Sequence, residues 1–591
     1  MSIGVITELA KHAARLTDMA GPNGSRFMLH SATGIGSIEQ SVFDHVDKVI
    51  FTTDFETHMQ AMMACMSDPS RFYLNNKESF KLTVGVGGQF GSINAAIDAA
   101  VRMRPVHNQG LGNCTIELVA GTVVEEQVLI MDGSDLGWIR ITAVDPDVLI
   151  DHNFITQYLS EKDDSIPAFG AIDNSVLPVI GAKFHYLNNT VAKDGVAVLQ
   201  GSKVAHMPNG CGVHHARRGL LISYNSESHC YPLGLTQGGD GIGAGGATGA
   251  DYSYARLRGM HVAYGSRACM GRSNFSHCDG DFGVYVIWMS TADCYHSNAS
   301  WTLNGTGFHA RDGSTMNCRE SNYSHCRRGV HALHVGRINA RSRINSPTVG
   351  QWIGEGAKYC TEYAVLASNC SEIEAAELDA SFCTGSAAIS ASDTSRVNFI
   401  SGVATDCTFR AVWAQTCSNV NATGATVSRS TIGLWADAVS NIAAVGVIAI
   451  GCVSYGALAL AGGSIVVNDG DLSGCGRGIE PREGGRIIAR NANLSKAIER
   501  GVSCIDGGHA NIQEANVSDC VSRAVTCRGG DVVATRANLS GATNWGIEVF
   551  DGGIVKAVGA NIGTSPLSQT PNTITAKGII FYEAVSPPEE P

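Results

Sequence analysis

Short hydrophobic stretches recur at a nearly constant interval through the second half of the chain. Thirteen consecutive segments between Gly259 and Ile562 repeat every 22–24 residues, and the one longer interval, between 329 and 364, holds an insertion. A unit this short cannot bury a hydrophobic face alone, so the copies must stack on one another. Each segment opens with a small residue: Gly259, Gly283, Gly307, Gly329, Ala364, Ala388, Ala411, Gly433, Gly456, Gly478, Gly501, Ala524 and Gly546.

Within each segment, the position after the opening residue is apolar, and the position two further on is mostly small and apolar. This alternation predicts short strands, and no segment has room for a ten-residue helix. A second strand then runs to a position fifteen residues after the opening, where an amide or carboxylate stands in most copies: Asn274, Asn298, Asn322, Asp379, Asp471, Asn493, Asn516 and Asn561. Asn tolerates turn conformations, and stacked amides can hydrogen-bond along a column. The pattern predicts an all-β fold, a right-handed parallel β-helix (solenoid).

The residues before the array predict further parts. Residues 1–85 hold candidate helices at 5–20 and 55–67, the second with Met59, Met62, Met63 and Met66, and form a predicted α-containing adaptor or assembly domain. Residues 86–110 contain an amphipathic helix candidate, 92–103, placed to cap the stack because open ends present unpaired strand edges. We assign 111–565 to the β-helix, with less regular rungs opening at Gly195 and Gly219. Residues 566–591 form a predicted closing strand and tail.

Composition narrows the classes of partner. The net charge is −12, charged residues make up 16% of the chain, and there is no basic cluster, so no nucleic-acid partner is expected. No stretch is long and apolar enough to predict a membrane span. We expect reduced thiols in the hydrophobic core at one repeated position, because the N-terminus has no apolar signal region. These are Cys278, Cys326, Cys383, Cys407, Cys452, Cys475 and Cys520.

The residue between the two apolar positions of each first strand is predicted to point outward. In the first four copies this residue is His261, Tyr285, His309 or His331, whereas Ser, Thr and Glu dominate at the C-terminal end. Neighbouring rungs lie about 4.8 Å apart, so these side chains are expected to be neighbours. His309, His331, Tyr285 and a cation, Arg311, are the groups that acid–base chemistry needs. The alternative is a contact between subunits, since aromatic residues and Arg are enriched at interfaces.

Other candidate groups surround this column. Asp279 and Asp281 lie at a corner and are equally explained as turn residues, while Asp312 and Glu320 complete a set of carboxylates for hydrolysis. The candidate substrate-binding residues are Trp288, His334, Trp413, Trp435 and His261. We expect no metal and no cofactor: the Gly-rich segment at 238–251 lacks the Lys-Ser/Thr of a phosphate-binding loop.

The order of these parts is similar to that of bacteriophage tailspikes of the pectate-lyase-like parallel β-helix type. The resemblance rests on the short N-terminal domain, on Gly88–Ala100 (GQFGSINAAIDAA), on Thr115–Thr122 (TIELVAGT) and on the rungs that follow. It is specific to the fold, and no catalytic motif carries over residue by residue. It implies a homotrimer on the virion, attached to the phage tail or baseplate through the N-terminal domain. It also implies binding or cleavage of a bacterial capsular or O-antigen polysaccharide at the cell surface. Two departures are the lack of a large C-terminal trimerisation domain and of calcium-binding nonapeptide repeats.

The resulting hypothesis is an endo-acting polysaccharide depolymerase, with a lyase slightly preferred over a glycoside hydrolase. As a lyase, Arg311 would neutralise a uronate, His309 or His331 would take the C5 proton, and Tyr285 would protonate the leaving oxygen. As a hydrolase, a pair from Asp279, Asp281, Asp312 and Glu320 would act. The alternative function is a non-catalytic receptor-binding fibre or structural protein.

Overall fold

The computed structural model describes, with short gaps, residues 79–102, 114–156, 168–186, 258–342 and 356–568, and short pieces at 27–38, between 197 and 255, and at 579–583. Two compact units are present: Met1–Glu126 with Trp138–Val148, and Gln127–Gly137 with Leu149–Pro591. None of the described helices has the length and apolar character needed to cross a membrane. The predicted helices at 5–20 and 55–67 lie outside the described residues, and the domain boundaries at 85, 110 and 565 stay predictions.

The second unit is a right-handed parallel β-helix, which confirms the predicted fold. The first strand of every rung joins one long parallel sheet, called sheet A. Its strands, in spatial order, are Val128–Ile130, Phe169–Ile172, Ala197–Gln200, Leu220–Ser223, Arg258–Val262, Phe282–Val286, Thr306–Arg311, Arg328–Leu333, Tyr363–Ser368, Ala387–Ala391, Arg410–Ala414, Ile432–Ala436, Tyr455–Ala459, Arg477–Pro481, Arg500–Ile505, Arg523–Arg528, Trp545–Phe550 and Leu567–Ser568.

The second strand of every rung joins another parallel sheet, called sheet B, which the predicted closing strand completes. Its strands are Glu227–Cys230, Arg267–Met270, Thr291–Asp293, Thr315–Asn317, Arg337–Asn339, Glu372–Glu374, Arg396–Asn398, Asn419–Asn421, Asn441–Ala443, Ser464–Val466, Arg486–Ile488, His509–Asn511, Asp531–Val533, Ile554–Val558 and Ile579–Glu583. A third, shorter ladder of single bridges follows, running through Asn274, Asn298 and Asn322 and again from Asp379 to Asn561. The predicted amide column is therefore confirmed, and Asn538 Nδ2 donates to Asn516 Oδ1 at 3.1 Å within it.

The core lies inside the coil and is built by the apolar positions of the repeat. Val330 and Ala332 are fully buried, and all seven cysteines of the repeated position are buried as well. The opening residue must be small, because a Cβ on Gly283 would lie 2.7 Å from the carbonyl oxygen of Gly307 in the next rung. The alternation read from the sequence therefore sets which side chains fill the interior.

The first unit contains a parallel sheet of Phe80–Val84, Cys114–Leu118 and Ile139–Ala143, together with the helix Ile93–Arg102. The helix N-terminus is held by Glu126, whose Oε2 accepts from the backbone N–H of Asn94 at 3.0 Å. The helix predicted at 92–103 is thus confirmed, and its role as a cap stays a prediction. Phe27–Ser31 and Gly34–Ile38 pair as an antiparallel hairpin.

Candidate functional site

Sheet A places His261, Tyr285, His309 and His331 directly beside one another on four consecutive strands. We call this line of residues the central column. The ring centroids of Tyr285 and His309 are 5.3 Å apart, and those of His309 and His331 are 4.6 Å apart. The neighbours of His309 along the strand, Phe308 and Ala310, are in the core. The central column thus points away from the interior, as the alternation predicts.

These side chains are covered nevertheless, and no open groove exposes them. Tyr285, His309 and His331 are only 7%, 3% and 5% exposed. The cover comes from the residue three places earlier in each strand: the Phe282 ring stacks on Tyr285 at 4.3 Å, and the Arg258 guanidinium lies 4.7 Å from the same ring. A substrate cannot reach His309 in this arrangement.

Burial keeps the histidines of the central column neutral. It lowers the pKa of His261 and of His331 to about 3, with Arg258 and Arg328 adding to the effect, and it lowers the pKa of His309 well below its usual value. Both ring nitrogens of His309 lack a hydrogen-bond partner among the described residues. Burial also raises the pKa of Tyr285, with Arg311 and Arg258 acting against it, so this phenol is protonated at neutral pH.

The accessible chemistry lies three residues further on, at the turn between sheets A and B. Tyr264, Trp288, Asp312 and His334 occupy this turn position in four consecutive rungs, all with positive φ between 48° and 55°. An L-residue pays roughly 1–2 kcal/mol for this conformation, which Asp and His tolerate better than Trp. The turn aims these side chains outward, and Trp288 and His334 are 42% and 47% exposed.

Arg311, Asp312 and His334 form a connected group in this turn. His334 Nδ1 lies 3.1 Å from Asp312 Oδ1, and Arg311 Nε donates to Asp312 Oδ2 at 3.0 Å. Trp288 lies one rung away, and its ring stacks on Tyr264 with centroids 4.3 Å apart. We call Trp288, Arg311, Asp312 and His334 the turn site; all four are candidates from the sequence, and the structure brings them together.

The geometry of the turn site suits His334 to accepting a proton. A carboxylate that accepts the Nδ1 proton fixes the tautomer and leaves the lone pair on Nε2. The half-exposed imidazole can therefore accept a proton from a bound molecule, while Arg311 fixes the carboxylate that orients it. The structure thus separates a covered histidine pair, His309 and His331, from an accessible histidine oriented by a carboxylate.

The candidate carboxylates do not gather in one place. Asp281 precedes the sheet A strand Phe282–Val286, Asp312 follows the next sheet A strand, and Glu320 follows the sheet B strand Thr315–Asn317. Glu320 Oε2 accepts from Tyr295 Oη at 3.3 Å and lies 3.1 Å from His296 Nε2. Burial lowers the pKa of His296 to about 4, although Glu320 acts against it. Asp279 lies outside the described residues.

Trp413 and Trp435 do not present open ring faces as a stacked pair would. Their rings are tilted by 47° with centroids 6.2 Å apart. The Arg410 guanidinium lies 4.0 Å from each ring, and Trp413 Nε1 donates to Asp437 Oδ2 at 3.2 Å. Because a cation already occupies the ring faces, a sugar ring cannot stack there without displacing Arg410.

The structure also contains an exposed aromatic ladder that the strand pattern did not predict. Five planar side chains stack on consecutive rungs, with interplanar angles of 5–15° between neighbouring rings. Each of them directly precedes a Cys or a Thr in the sequence. They are His277, Trp301, His325, Tyr359 and Phe382. Aligning the residues before Cys278, Cys326, Cys360 and Cys383 shows four of the five in the sequence, whereas Trp301 precedes Thr302. The ladder exposes ring edges, because the neighbours cover the ring faces.

Within the described residues, no group of three or more His, Cys, Asp or Glu side chains is arranged to hold a metal ion. His334 and Asp312 are paired with each other, and His309 and His331 have no carboxylate partner among the hydrogen bonds of the described chain.

Comparisons with known proteins bear only on the fold. No protein-family model matches the chain, and no curated protein matches it. Among solved structures, the chain is similar to the periplasmic alginate epimerase AlgG, with a TM-score of 0.19 and 8% identity over 80% of this chain and 77% of that one. It is also similar to the A-module of the Azotobacter vinelandii mannuronan C-5 epimerase AlgE6, with a TM-score of 0.13 and 10% identity over 84% of this chain and 94% of that one. At these TM-scores neither likeness carries an argument about activity, and the parallel β-helix stands on the strands described above.

Proposed function

We propose that this protein is a polysaccharide lyase that cuts within an acidic glycan at the turn site. The observation that carries the proposal is the Asp312–His334 pair, with Nδ1 and Oδ1 3.1 Å apart, on an exposed turn beside Trp288. A carboxylate-oriented imidazole is a general base, and an exposed indole offers an apolar surface to the carbon–hydrogen face of a sugar ring. Arg311 adds a partly exposed cation at the same place.

The proposed reaction is a β-elimination at a uronate residue. Arg311 pairs with the substrate carboxylate and stabilises the charge that develops when the C5–H bond breaks. His334 Nε2 takes that proton, the electron pair forms the C4–C5 double bond, and the C4–O bond breaks. Tyr285 is covered by Phe282 and only 7% exposed, so it cannot act as the proton donor that the sequence suggested, and the leaving oxygen takes its proton from water at the exposed turn. Atoms and electrons balance in this step.

The positions of the carboxylates favour elimination over hydrolysis. Glycoside hydrolases need two carboxyl groups about 5–9.5 Å apart. Asp281 and Asp312 lie at opposite ends of sheet A strands of five or six residues, each spanning about 16–20 Å. Glu320 follows the C-terminal end of the sheet B strand Thr315–Asn317 and accepts a hydrogen bond from Tyr295 Oη. Asp281 is therefore too far from Asp312 to act with it, and Glu320 is held by another residue, while Asp279 lies outside the described residues.

We further propose that the protein is a bacteriophage tailspike. This more specific proposal rests on the order of an N-terminal domain, the helix Ile93–Arg102 and the β-helix rungs. A homotrimer on a virion, attached through the N-terminal domain and acting on capsule or O-antigen at the bacterial surface, follows from that resemblance. These partners and this location stay predictions.

The test is turnover on a panel of polysaccharides, with polygalacturonate, alginate and hyaluronan as uronate polymers and dextran as a neutral one. The unsaturated product of elimination absorbs ultraviolet light, so we expect absorbance to rise with a uronate polymer and not with dextran. His334→Ala is expected to lower the rate by roughly 10²–10⁴-fold, the usual contribution of a general base. Asp312→Asn is expected to lower it less, because the base remains but loses its orientation.

His509→Ala is a matched control, because His509 is exposed on sheet B and its Nδ1 lies 4.0 Å from Asp531 Oδ2. It should turn over substrate like the wild type. If His334→Ala keeps the wild-type rate while folded His309→Phe loses it, the base is the covered histidine and the turn site is wrong. Retention of polymer without any ultraviolet-absorbing product or shortening would show a binding protein instead.

A further inference from the structure

The outer face of sheet B carries a groove beside the turn site, and its lining includes the apolar residues Ala292, Met316 and Ile338 as well as polar side chains. The groove has a volume of about 370 Å³, within the range of about 300–1,000 Å³ typical of ligand sites. Thr315, Arg337 and Glu372 form one wall, each as the first residue of its strand on three consecutive rungs. The three side chains are exposed, and neither Arg337 nor Glu372 forms an ion pair with another described residue.

The second wall is held in place by hydrogen bonds along the stack. It consists of Asn317, Asn339 and Glu374, the last residues of the same three strands. Asn317 Nδ2 donates to Asp293 Oδ1 at 3.0 Å, and Glu374 Oε2 accepts from Asn398 Nδ2 at 2.7 Å. The wall is therefore pre-organised at both ends, with the amide nitrogen of Asn339 left unpaired between them within the described chain.

The groove adjoins the turn site through the chain itself. Thr315 follows Asp312 by three residues and Arg337 follows His334 by three, so each pair of Cα atoms lies within about 11 Å. Tight turns make this link rigid: Ser314 N donates to Arg311 O at 3.2 Å, and Gly336 N donates to Leu333 O at 3.1 Å. A molecule lying in the groove would thus reach His334 from the sheet B side.

The chemistry of the walls selects hydroxyl groups rather than a single charge. A guanidinium and two carboxylates face the same space as a hydroxyl and two amides, so the lining offers both donors and acceptors and carries one net negative charge. Such a lining suits the paired hydroxyls of sugar rings. Each wall places one side chain per rung at a spacing of about 4.8 Å, so the groove offers one set of contacts to each successive unit of a chain that runs along the stack.

From these observations we infer that the sheet B groove binds the sugar residues that flank the cleavage point, and so makes the turn site an endo-acting one. This inference rests on the proposed function, because it assumes that the polymer is the substrate of His334. The groove recognises hydroxyls, whereas Arg311 recognises the carboxylate at the cleavage point. The two sites divide the recognition of one glycan chain between them.

The test uses the Arg337→Ala/Glu372→Gln variant of the whole chain and measures polymer binding by affinity electrophoresis. The gels contain the uronate polymer that the wild type cleaves. If it cleaves none, they contain polygalacturonate. Binding is expected to be roughly ten-fold weaker, as loss of a few hydrogen bonds implies. Product released early by the wild type should be a mixture of long fragments. Arg486→Ala is the matched control, because Arg486 is the equivalent exposed first residue of a distant sheet B strand.

The outcomes separate this inference from the proposed function. Weaker binding by the groove variant together with unchanged binding and lost turnover by His334→Ala supports both. Weaker binding by the groove variant with full turnover by His334→Ala keeps the groove and overturns the turn site. Wild-type binding by the groove variant, equal weakening by Arg486→Ala, or no binding of the polymer by the wild type overturns the groove.

Discussion

The strand position of the central column continues along sheet A to Glu480 and Glu548, and we extend the name to the whole line; its backbone is the same at both ends, but its side-chain chemistry differs. At the C-terminal end, the fully buried Glu480 accepts from Arg477 at 2.9 Å, and Arg523 Nε lies 2.7 Å from Glu548 Oε2. At the N-terminal end, His309 is 3% exposed, and neither ring nitrogen has a partner among the described residues.

The difference lies in the partners of the residue at this position. Burying a polar group without a partner costs free energy. Glu480 and Glu548 each have an arginine partner, although the Nε atoms of Arg482, Arg500 and Arg523 and the Oε1 atom of Glu480 lack hydrogen-bond partners among the described residues. The N-terminal rungs keep covered neutral imidazoles and an exposed Asp312–His334 pair within the same few strands. We therefore assign stability to the first region and chemistry to the second.

The largest expected effect on stability comes from removing a buried carboxylate at the C-terminal end of the column, called the matched end because its carboxylates are paired with arginines. Glu480→Ala leaves the partly exposed Arg477 and Arg482 without their buried carboxylate, and losing a hydrogen bond to a charged group costs about 1.5–3 kcal/mol. Urea denaturation should therefore show a lower free energy of unfolding by about that amount. Glu483→Ala, an exposed turn residue of the same rung, should change it little. Equal stability of the two variants would show that the ion pair has no net value.

The buried histidines at the N-terminal end of the column, called the unmatched end, should make the free energy of unfolding depend on pH. Burial depresses the folded-state pKa of His331 to about 3, below the usual value near 6.5. Above pH 6.5 the residue is neutral in both states and adds no pH dependence. As the pH falls toward 3, only the unfolded state binds the proton, so stability falls by about 1.4 kcal/mol per pH unit.

His331→Leu removes this contribution to the pH dependence. The new side chain is the one found at the same position of the neighbouring rung, Leu366. Between pH 7.5 and pH 5 the variant should lose about 2 kcal/mol less than the wild type. The measurement is urea denaturation at both values of pH. Thr526→Ala, in the same column at the matched end, should follow the wild-type dependence. Parallel curves for His331→Leu and the wild type would show that His331 is already protonated or exposed in solution.

The coil could be predicted because its determinants are local and repeated. A small opening residue, alternating apolar positions and an Asn column each express one constraint per rung, and thirteen copies make the pattern legible. The cover over the column could not be predicted, because it depends on how Phe282 and Arg258 fold across a neighbouring strand. The tilt between the Trp413 and Trp435 rings could not be predicted for the same reason: Arg410 lies against both rings.

The smallest expected effect tests whether the imidazole of His309 is truly unmatched. His309→Phe replaces a buried ring that lacks partners by an apolar ring, so the free energy of unfolding should stay within about 1 kcal/mol of the wild type or rise. At the matched end, Ser503→Val removes an acceptor that takes a hydrogen bond from Arg500 Nη1 at 3.3 Å, and stability should fall by about 1 kcal/mol. Both are measured by urea denaturation at neutral pH. A loss above about 2 kcal/mol in His309→Phe would mean that the imidazole has a partner in solution. The two ends of the column would then be equally satisfied, and the contrast between scaffold and site would have to rest on the turn site alone.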